Sequence, residues 1–510
     1  MLHISVQGGY YAPPLEANRM KTGNMFDTFR PVMFINGLLL MVLALGMTPP
    51  MVADLITHNP DWHVFAGSAL ATLMAGLLLV LSQGGSELEL NIKQAFMLTT
   101  TGWITLAAFA SLPLHFSNLN IDTTDAFFEA MSGLTTTGST VLAGLDTMPP
   151  GILLWRGILQ WIGGIGIIVM AIAILPFLRS GGMQLFRTES SDTSDTSDRV
   201  VPRIKRMTGG LVLIYALLTT SCAVALWSAG MTPLDAVIHA MTTLSTGGFS
   251  SHDASIAYFD SDLIEYIVLA FMVSSSIPFI VYLKFAHGDL GAFRRDPQIR
   301  GLFAILSTMT VILSTWLVLK DDFPILDALR LSAFNIVSVI STTGFASTDY
   351  TLWGSLPLGA FFLMTFIGGC TGSTSGGIKI LRFQVLRMVF AGYVWRLLYP
   401  HGVRAHTFGG SVVTADVAVG VLVFTLVFVV MTGFVGLVLT SLGLDLDTAM
   451  SGAATAIANV GPGLGDIIGP TGNFQPLPDA AKWVLAFSML LGRLEFFTVL
   501  VLFTPGYWRS

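Results

Sequence analysis

Four short stretches of similar design recur along the chain, and each ends an apolar segment that begins near an Asp. They are Thr136-Thr137-Gly138, Thr246-Gly247-Gly248, Thr342-Thr343-Gly344 and Asn459-Val460-Gly461, preceded by Asp125, Asp235, Asp327 and Asp447. The third interval from Asp to central Gly is longer than the first by about one helical turn. Four units of like design at near-constant intervals are an internal repeat, which predicts that the chain is built from four modules.

The residue types in these stretches suit a dehydrated alkali cation. Such an ion needs oxygen atoms at the right distance, and backbone carbonyls from several converging loops can supply them. Glycine permits backbone angles that other residues resist, so successive carbonyls can face one axis. Thr offers a hydroxyl in addition. The alternative is that the four stretches are glycine-broken helix ends that only pack together.

The composition indicates a membrane protein. Apolar residues make up 53% of the chain and charged residues 11%, against roughly 25% charged in a soluble domain. The runs Met207–Thr232 and Val417–Leu444 carry no Lys, Arg, Asp or Glu and are long enough to cross a bilayer. The only cysteines, Cys222 and Cys370, lie in separate apolar or Gly-rich contexts, so we expect no disulfide. We also expect no nucleic-acid partner.

We predict an all-α polytopic membrane protein. It has two leader helices plus four modules of helix, re-entrant pore loop and helix, in a pseudo-four-fold arrangement around one pore. The predicted segments are a cytoplasmic tail (1–30), a leader helix pair (31–90), module one (91–180), a polar cytoplasmic linker (181–206), module two (207–298), module three (299–408) and module four (409–510). The chain would contain about ten spanning segments, with only the third inner helix interrupted.

The charge distribution predicts the orientation. Most of the 25 Lys and Arg fall in the tail and in loops on one side, whereas the loops with the four repeated stretches are acidic. The positive-inside rule then places both termini in the cytoplasm and the four loops outside, with an acidic mouth that would concentrate cations. The acidic residues in question are Asp122, Asp125, Glu129, Asp235, Asp253, Asp260, Asp349, Asp445 and Asp447. For the four repeated Asp residues we favour capping or first-turn positions in short helices.

A Gly-rich stretch interrupts the third inner helix at membrane depth. It comprises Gly368, Gly369, Cys370, Thr371, Gly372, Ser373, Thr374, Ser375, Gly376, Gly377, Ile378 and Lys379. Such a stretch cannot hold a regular helix well and must face protein or water, so we interpret it as a gate. The alternative is a helix-packing seam of small residues.

Four further polar or charged residues lie in apolar surroundings. Arg493 and Glu495 fall inside the last helix, where charges are costly. Arg493 could contact the gate, or the two residues could form an ion pair that fixes helix packing. His239 and Arg330 are expected to make local hydrogen bonds or packing contacts rather than to bind an ion.

These motifs resemble the Trk/Ktr/HKT superfamily of potassium transporters. The four loops look like its filter, Leu154-Trp155-Arg156 and Gln160-Trp161-Ile162-Gly163-Gly164 resemble the start of its first inner helix, and 369–379 is similar to its intramembrane gate loop. The two leader helices point to the bacterial TrkH/TrkG branch. A departure is Ser274-Ser275-Ser276-Ile277-Pro278, where the family would have a Gly/Asn-rich stretch.

The resemblance implies potassium uptake across the bacterial inner membrane and no enzymatic activity. K⁺ would be the transported ion, held at a filter of Thr136, Thr137, Gly138, Thr246, Gly247, Gly248, Thr342, Thr343, Gly344, Asn459, Val460 and Gly461, above a gate of Gly368–Lys379 with Arg493 nearby. Gly138 favours potassium over sodium. The resemblance also implies a homodimer in membrane lipid and a cytosolic TrkA-type subunit that binds nucleotide. A gated channel and a symporter coupled to H⁺ or Na⁺ both remain open.

Overall fold

The structure is a computed structural model that describes residues 25–82, 91–174, 200–402, 407–409 and 411–509. The predicted tail (1–30) and the polar linker (181–206) fall mostly outside these ranges. Within them the regular elements are helices, apart from one antiparallel hairpin of two short strands, β1 (Thr407–Phe408) and β2 (Ser411–Val412), and one isolated bridge between Ile367 and Ile378. The all-α prediction therefore misses one small hairpin.

The leader pair is formed by the first three helices. Helix α1 (Met25–Gly46) continues with a small break into α2 (Thr48–Ile56), and α3 (Trp62–Leu81) returns beside them. Gly37 of α1 and Gly76 of α3 lie at their closest approach, since a Cβ atom built on either glycine would meet the other's carbonyl oxygen at 2.7 Å. The absence of side chains at this crossing lets the two backbones touch.

The remaining helices repeat one pattern four times, in which a long helix, a short helix and an inner segment follow one another. The long helices are α4 (Ile92–Ala110, followed by α5, Leu112–Phe116), α8 (Val200–Ser228), α13 (Pro297–Asp321) and α17 (Ala415–Ser441). The short helices are α6 (Thr123–Leu134), α9 (Pro233–Leu244), α14 (Ile325–Ile340) and α18 (Leu446–Ala458). The third short helix has 16 residues against 12 in the first, which confirms the expected extra turn.

The inner segments differ from one another. They are α7 (Pro150–Ile174), α10 with α11 (Asp262–Ser275 and Phe279–Ala286, then α12, Ala292–Arg295), α15 with α16 (Ser355–Thr365 and Ile380–Leu398), and α19 with α20 (Asp479–Arg493 and Phe497–Leu500, before α21, Pro505–Arg509). The second bends by 90° and the fourth by 105°. Only the third was predicted to be interrupted, so that prediction is wrong for the second and fourth.

The two unexpected bends have different backbone features. The second lies at Ser276-Ile277-Pro278, where Pro278 lacks an N–H and disfavours helical angles at the residue before it. In the fourth, Glu495 and Phe496 adopt positive φ angles of 57° and 37°. Residues other than glycine adopt such backbone angles only at an energetic cost. The described residues therefore contain seven helices long and apolar enough to span a membrane, or nine when each bent pair counts as one span.

One continuous apolar core joins the modules around the short helices. Leu134, Leu244, Ile340 and Ala458, the last residues of α6, α9, α14 and α18, are all buried in it. The leader helices contact this core through Leu40, Leu43 and Phe65, so the short helices lie at the centre of the protein and the long helices outside them.

The glycine crossing of the leader pair gives a stability prediction. We expect Gly76→Ala to destabilise the purified protein by roughly 1–3 kcal/mol, because the added methyl group overpacks the contact with the backbone at Gly37. The matched control is Gly67→Ala in the same helix, where a Cβ meets nothing within 4 Å and helix propensity favours Ala. Thermal unfolding in detergent measures both, and equal melting temperatures for the two variants would contradict the packing argument.

Candidate functional site

All four short helices end in the same left-handed turn. The residue after each last helical turn is not glycine and yet has positive φ: 51° at Thr136, 55° at Thr246, 59° at Thr342 and 55° at Asn459. A left-handed backbone is strained for the three β-branched Thr residues, whereas Asn tolerates it, and such strain persists only where the surrounding structure holds it. Four such residues at equivalent positions form one repeated local structure.

The same hydrogen bonds close each turn. The N–H of the residue after the left-handed one donates to a carbonyl five residues earlier, in the pairs Thr137–Ser132, Gly247–Thr242, Thr343–Ser338 and Val460–Thr455, at 2.9 to 3.1 Å. This is the Schellman arrangement that ends many helices, usually with glycine as the left-handed residue. It turns the chain sharply and leads to the central glycine of each stretch.

The central glycines bring the four loops into a closed ring. A Cβ atom built on Gly138 would collide with the carbonyl oxygen of Gly247, and Gly248 stands in the same relation to Thr343. Gly344 likewise meets the carbonyl of Val460, and Gly461 lies near that of Thr137. Each loop therefore touches the next, in the order one, two, three, four and back to one. Any side chain at these glycines would separate neighbouring loops.

A cavity of about 70 Å³ lies on one side of this ring. All four central glycines line it, together with residues of the outer loops that include Arg156, His252 and Asp253. Of the nine acidic residues predicted to form an acidic mouth, Asp253 alone lines this cavity. The predicted acidic mouth therefore does not correspond to the wall of this cavity.

The other acidic residues act mainly at helix N-termini. The structure places Asp125, Asp235, Asp327 and Asp447 in the first turns of their short helices, which confirms the first-turn prediction. Asp122 and Asp445 are the N-caps of the first and fourth. The backbone N–H of Thr448 donates to the Asp445 carboxylate and lowers its pKa.

Glu129 is fully buried and forms an ion pair with Arg156 of α7, with Nε and Oε1 2.7 Å apart. Arg156 also donates to the carbonyl of Ser250 at 2.7 Å and stacks over the Phe249 ring. The Glu129 carboxylate in turn accepts from the Val141 backbone N–H. Sequence reasoning missed this pair because a charge count cannot distinguish a buried carboxylate from an exposed one. The pair fixes the first two loops relative to α7.

Gln160, one helical turn after Arg156, is a second contact that sequence reasoning did not assign. Its amide nitrogen donates to the carbonyl of Gly247 at 2.7 Å, and its amide oxygen accepts from the N–H of Phe249 at 3.1 Å. The nearest sequence signal was the Gln160-Trp161-Ile162-Gly163-Gly164 motif, which gives no direction for the side chain. Gln160 therefore binds the backbone of the second loop through both ends of its amide.

The Gly-rich loop of the third inner segment forms a compact turn. The N–H of Gly368 donates to the carbonyl of Ile378 at 2.9 Å and closes the base of the loop. Inside it, the hydroxyl of Ser375 accepts from the N–H of Gly369 and lies 2.8 Å from the hydroxyl of Ser373. The Lys379 ammonium donates to the carbonyl of Ser375. The loop is therefore ordered by its own polar groups.

This loop contacts the C-terminal ends of the short helices. The hydroxyl of Thr374 donates to the carbonyl of Leu244 at 3.0 Å, and the N–H of Gly377 donates to the carbonyl of Ala458 at 2.8 Å. The N–H of Gly376 donates to the hydroxyl of the left-handed Thr342 at 2.6 Å. The loop thus lies against the helix-end residues of three repeats, on the opposite side from the central glycines.

The Gly-rich loop also contacts the bend of the second inner segment. The N–H of Cys370 donates to the carbonyl of Ser276, and the N–H of Phe279 donates to the carbonyl of Gly372, both at 2.9 Å. The N–H of Thr371 reaches the side chain of Gln298. Cys370 is buried and, like Cys222, is a free thiol, as expected from the sequence. The helix break therefore supplies backbone groups that hold the loop.

Arg493 contacts the loop from the fourth inner segment, where its Nη1 donates to the carbonyl of Thr374 at 2.9 Å. The possible ion pair between Arg493 and Glu495 does not form. Instead Glu495 accepts from Arg382 of α16 at 2.9 Å, because the bend after Arg493 directs the two side chains to different neighbours. The predicted contact between Arg493 and the loop is therefore present, whereas the alternative pairing is not.

Two residues with local roles behave as expected. His239 is fully buried, and its ring nitrogens lie 2.8 Å from the carbonyl of Asp235 and 2.9 Å from the hydroxyl of Ser250. Arg330 forms an ion pair with Glu265 at 2.6 Å. Among the described residues no group of three or more His, Cys, Asp or Glu could hold a metal ion.

Comparison with known proteins places these features in one family. The family model described as TrkH, a cation transport protein, matches residues 62–509. The Trk system potassium uptake protein TrkI of Halomonas elongata is 45% identical over 96% of this chain and 99% of its own length. The TrkH protein of Escherichia coli is 37% identical over 94% of this chain and 100% of its own.

A solved structure agrees with the sequence matches. The crystal structure of the potassium transporter TrkH from Vibrio parahaemolyticus superposes with a TM-score of 0.87 and 36% sequence identity, covering 94% of this chain and all of the other. The four repeated turns, the broken inner segments and the full-length matches lead to one conclusion. This chain belongs to the TrkH family of cation transport proteins.

Proposed function

We propose that this protein takes up potassium ions across the bacterial inner membrane through a gated pore. The pore runs through the ring of central glycines, and the four modules surround it with pseudo-four-fold symmetry. The relatives named above are potassium uptake proteins and transporters. The part of the chain that the structure describes has seven helices apolar and long enough to span a membrane, or nine with the bent pairs, which suits a multi-pass membrane protein.

The closed ring of loop contacts carries this proposal. Four loops that touch in cyclic order place carbonyl groups around one axis, which is how a filter replaces the hydration shell of an alkali ion. The four short helices end at this ring, so the partial negative charge of each helix C-terminus favours a cation there. We therefore assign the filter to the three residues of each repeated stretch, Thr136–Gly138, Thr246–Gly248, Thr342–Gly344 and Asn459–Gly461.

The Gly-rich loop Gly368–Lys379 is the proposed gate. It lies directly against the ends of the second, third and fourth short helices, where it would occupy the path of an ion that leaves the ring. Its hydrogen-bond donors bind the carbonyls of Leu244 and Ala458 and the hydroxyl of Thr342, at or beside the proposed filter. Arg493 adds a positive charge at Thr374 and would repel a cation while the loop stays in place.

The assembly proposal follows the resemblance of the sequence. We propose a homodimer with both termini in the cytoplasm and a cytosolic TrkA-type subunit whose bound nucleotide acts on the gate. The four modules of this chain would span residues 91–180, 207–298, 299–408 and 409–510.

The proposed function is tested by cation flux into liposomes that contain the purified protein. K⁺ and Rb⁺ are expected to enter well ahead of Na⁺ when a membrane potential is the only driving force. Flux that requires an imposed H⁺ or Na⁺ gradient would instead establish a coupled symporter that uses the same loops as a binding site. Equal entry of K⁺ and Na⁺ would contradict a potassium filter.

The filter assignment predicts that Gly138→Ala and Gly344→Ala each reduce the ratio of K⁺ to Na⁺ flux by about tenfold or more. Their added methyl groups push neighbouring loops apart, and the left-handed backbone adds strain. Gly230→Ala is the matched control, since Gly230 also has positive φ but a Cβ there meets nothing within 4 Å. Unchanged ratios of K⁺ to Na⁺ flux in both filter variants would contradict the filter assignment.

The gate assignment predicts that deletion of Thr371–Gly376 raises basal K⁺ flux. The deletion removes the donors that hold the loop against Leu244 and Thr342. Thr374→Val, which loses only a hydroxyl, is expected to raise flux by roughly threefold to tenfold, as for a lost hydrogen bond. Thr220→Val is the control, because the Thr220 hydroxyl donates to the carbonyl of Ala216 in its own helix. Parental flux in both gate variants would show that the loop does not limit conduction.

A further inference from the structure

The first inner helix, α7, is unbroken over its described residues Pro150–Ile174, and it faces the second loop with two polar side chains. Arg156 and Gln160 are four residues apart and therefore lie on one face of the helix. Arg156 donates to the carbonyl of Ser250, while Gln160 contacts Gly247 and Phe249. Helix α7 thus holds the backbone of the second loop from Gly247 to Ser250.

The second loop needs this external support because its middle residue has no side chain. In the first loop the hydroxyl of Thr137 lies 2.8 Å from that of Thr135, and in the third loop the hydroxyl of Thr343 lies 2.7 Å from that of Ser341. Gly247 occupies the equivalent position of the second loop and can make no such contact. A Cβ atom at Gly247 would collide with the amide of Gln160, so the glutamine occupies the space that a threonine side chain takes in the first and third loops.

The Gln160 amide also fixes the direction of one carbonyl. Its nitrogen donates to the carbonyl oxygen of Gly247, and its oxygen accepts from the N–H of Phe249, so both ends of a fully buried amide are paired. Gly138 of the first loop packs against this same carbonyl oxygen. The equivalent carbonyls of Thr137, Thr343 and Val460 accept no side-chain hydrogen bond from the residues that the structure describes. The junction between loops one and two is therefore braced differently from the other three.

We propose that Gln160 is a specificity-determining positioning residue, which sets the discrimination between K⁺ and Na⁺ by holding the Gly247 carbonyl against the first loop. This inference rests on the proposed function. Selectivity among alkali ions depends on the number, field strength and spacing of the coordinating oxygens. Without the amide, the glycine backbone of the second loop can relax inward and coordinate the smaller Na⁺ ion.

Two variants separate the two hydrogen bonds. Gln160→Met removes both hydrogen bonds while keeping a similar side-chain volume, whereas Gln160→Glu keeps an acceptor for the Phe249 N–H but cannot donate to the Gly247 carbonyl when ionised. Both variants are expected to reduce the ratio of K⁺ to Na⁺ flux in liposomes by roughly threefold to tenfold, the range for one or two lost hydrogen bonds. The Na⁺ flux itself is expected to rise, which a merely destabilised protein would not show.

The control is Gln384→Met, which removes an amide that donates to the carbonyl of Pro297, away from the four loops. It is expected to keep the parental flux ratio. A parental ratio in both Gln160 variants, while the parent protein discriminates K⁺ from Na⁺, would overturn this inference and leave the proposed function intact. A parental ratio in Gln160→Glu alone would show that the Phe249 contact, and not the Gly247 carbonyl, is responsible. Lack of discrimination in the parent would instead overturn the proposed function.

Discussion

The burial of four helix C-termini at the centre of the molecule is the constraint on which the other features depend. The last turns of a helix leave carbonyl groups without intrahelical partners, and unpaired carbonyls inside a membrane protein are costly. The left-handed turns at Thr136, Thr246, Thr342 and Asn459 pair some of these carbonyls and direct the chain into the glycine ring. The Gly-rich loop pairs two more, those of Leu244 and Ala458. On the proposed pathway, the groups that complete the helix ends are therefore also the groups that close the pore, and opening requires water or an ion to replace them.

The charges around the Gly-rich loop follow from the bends in the inner segments. Arg382 and Glu495 form an ion pair, and Arg382 also stacks on the Phe424 ring, with its guanidinium carbon 3.6 Å from the ring centroid. This pairing leaves Arg493 and Lys379 directed at carbonyl groups of the loop, those of Thr374 and Ser375. Two cationic side chains thus donate to carbonyls of the loop that we propose as the gate. In the proposed mechanism, displacement of the loop would break both contacts and free those carbonyls.

The sequence predicted the features that arise from local backbone chemistry. The four repeated turns were recognisable because Thr, Asn and Gly residues recur at fixed positions, and the longer third helix followed from spacing alone. The bend at Pro278 had a sequence signal in the lack of an N–H, although it was not used to place a break. The bend at Phe496 had none, since neither Glu495 nor Phe496 favours positive φ, and tertiary contacts must hold it. Partners distant in sequence, such as Glu129 and Arg156, could not be paired from charge counts.

The four modules repeat in the loops but differ in how their inner segments support those loops, and helix geometry explains the difference. An unbroken helix satisfies its own backbone groups, so α7 can reach the centre only through side chains, and it does so with Arg156 and Gln160. A broken helix releases backbone groups, which the second segment uses at Ser276 and Phe279 to hold the Gly-rich loop. Side-chain contacts of α7 thus hold the ring, while the broken segments hold the loop beneath it. This division would let the proposed gate, a single loop of the third module, move without loss of the contacts by which α7 holds the second filter loop.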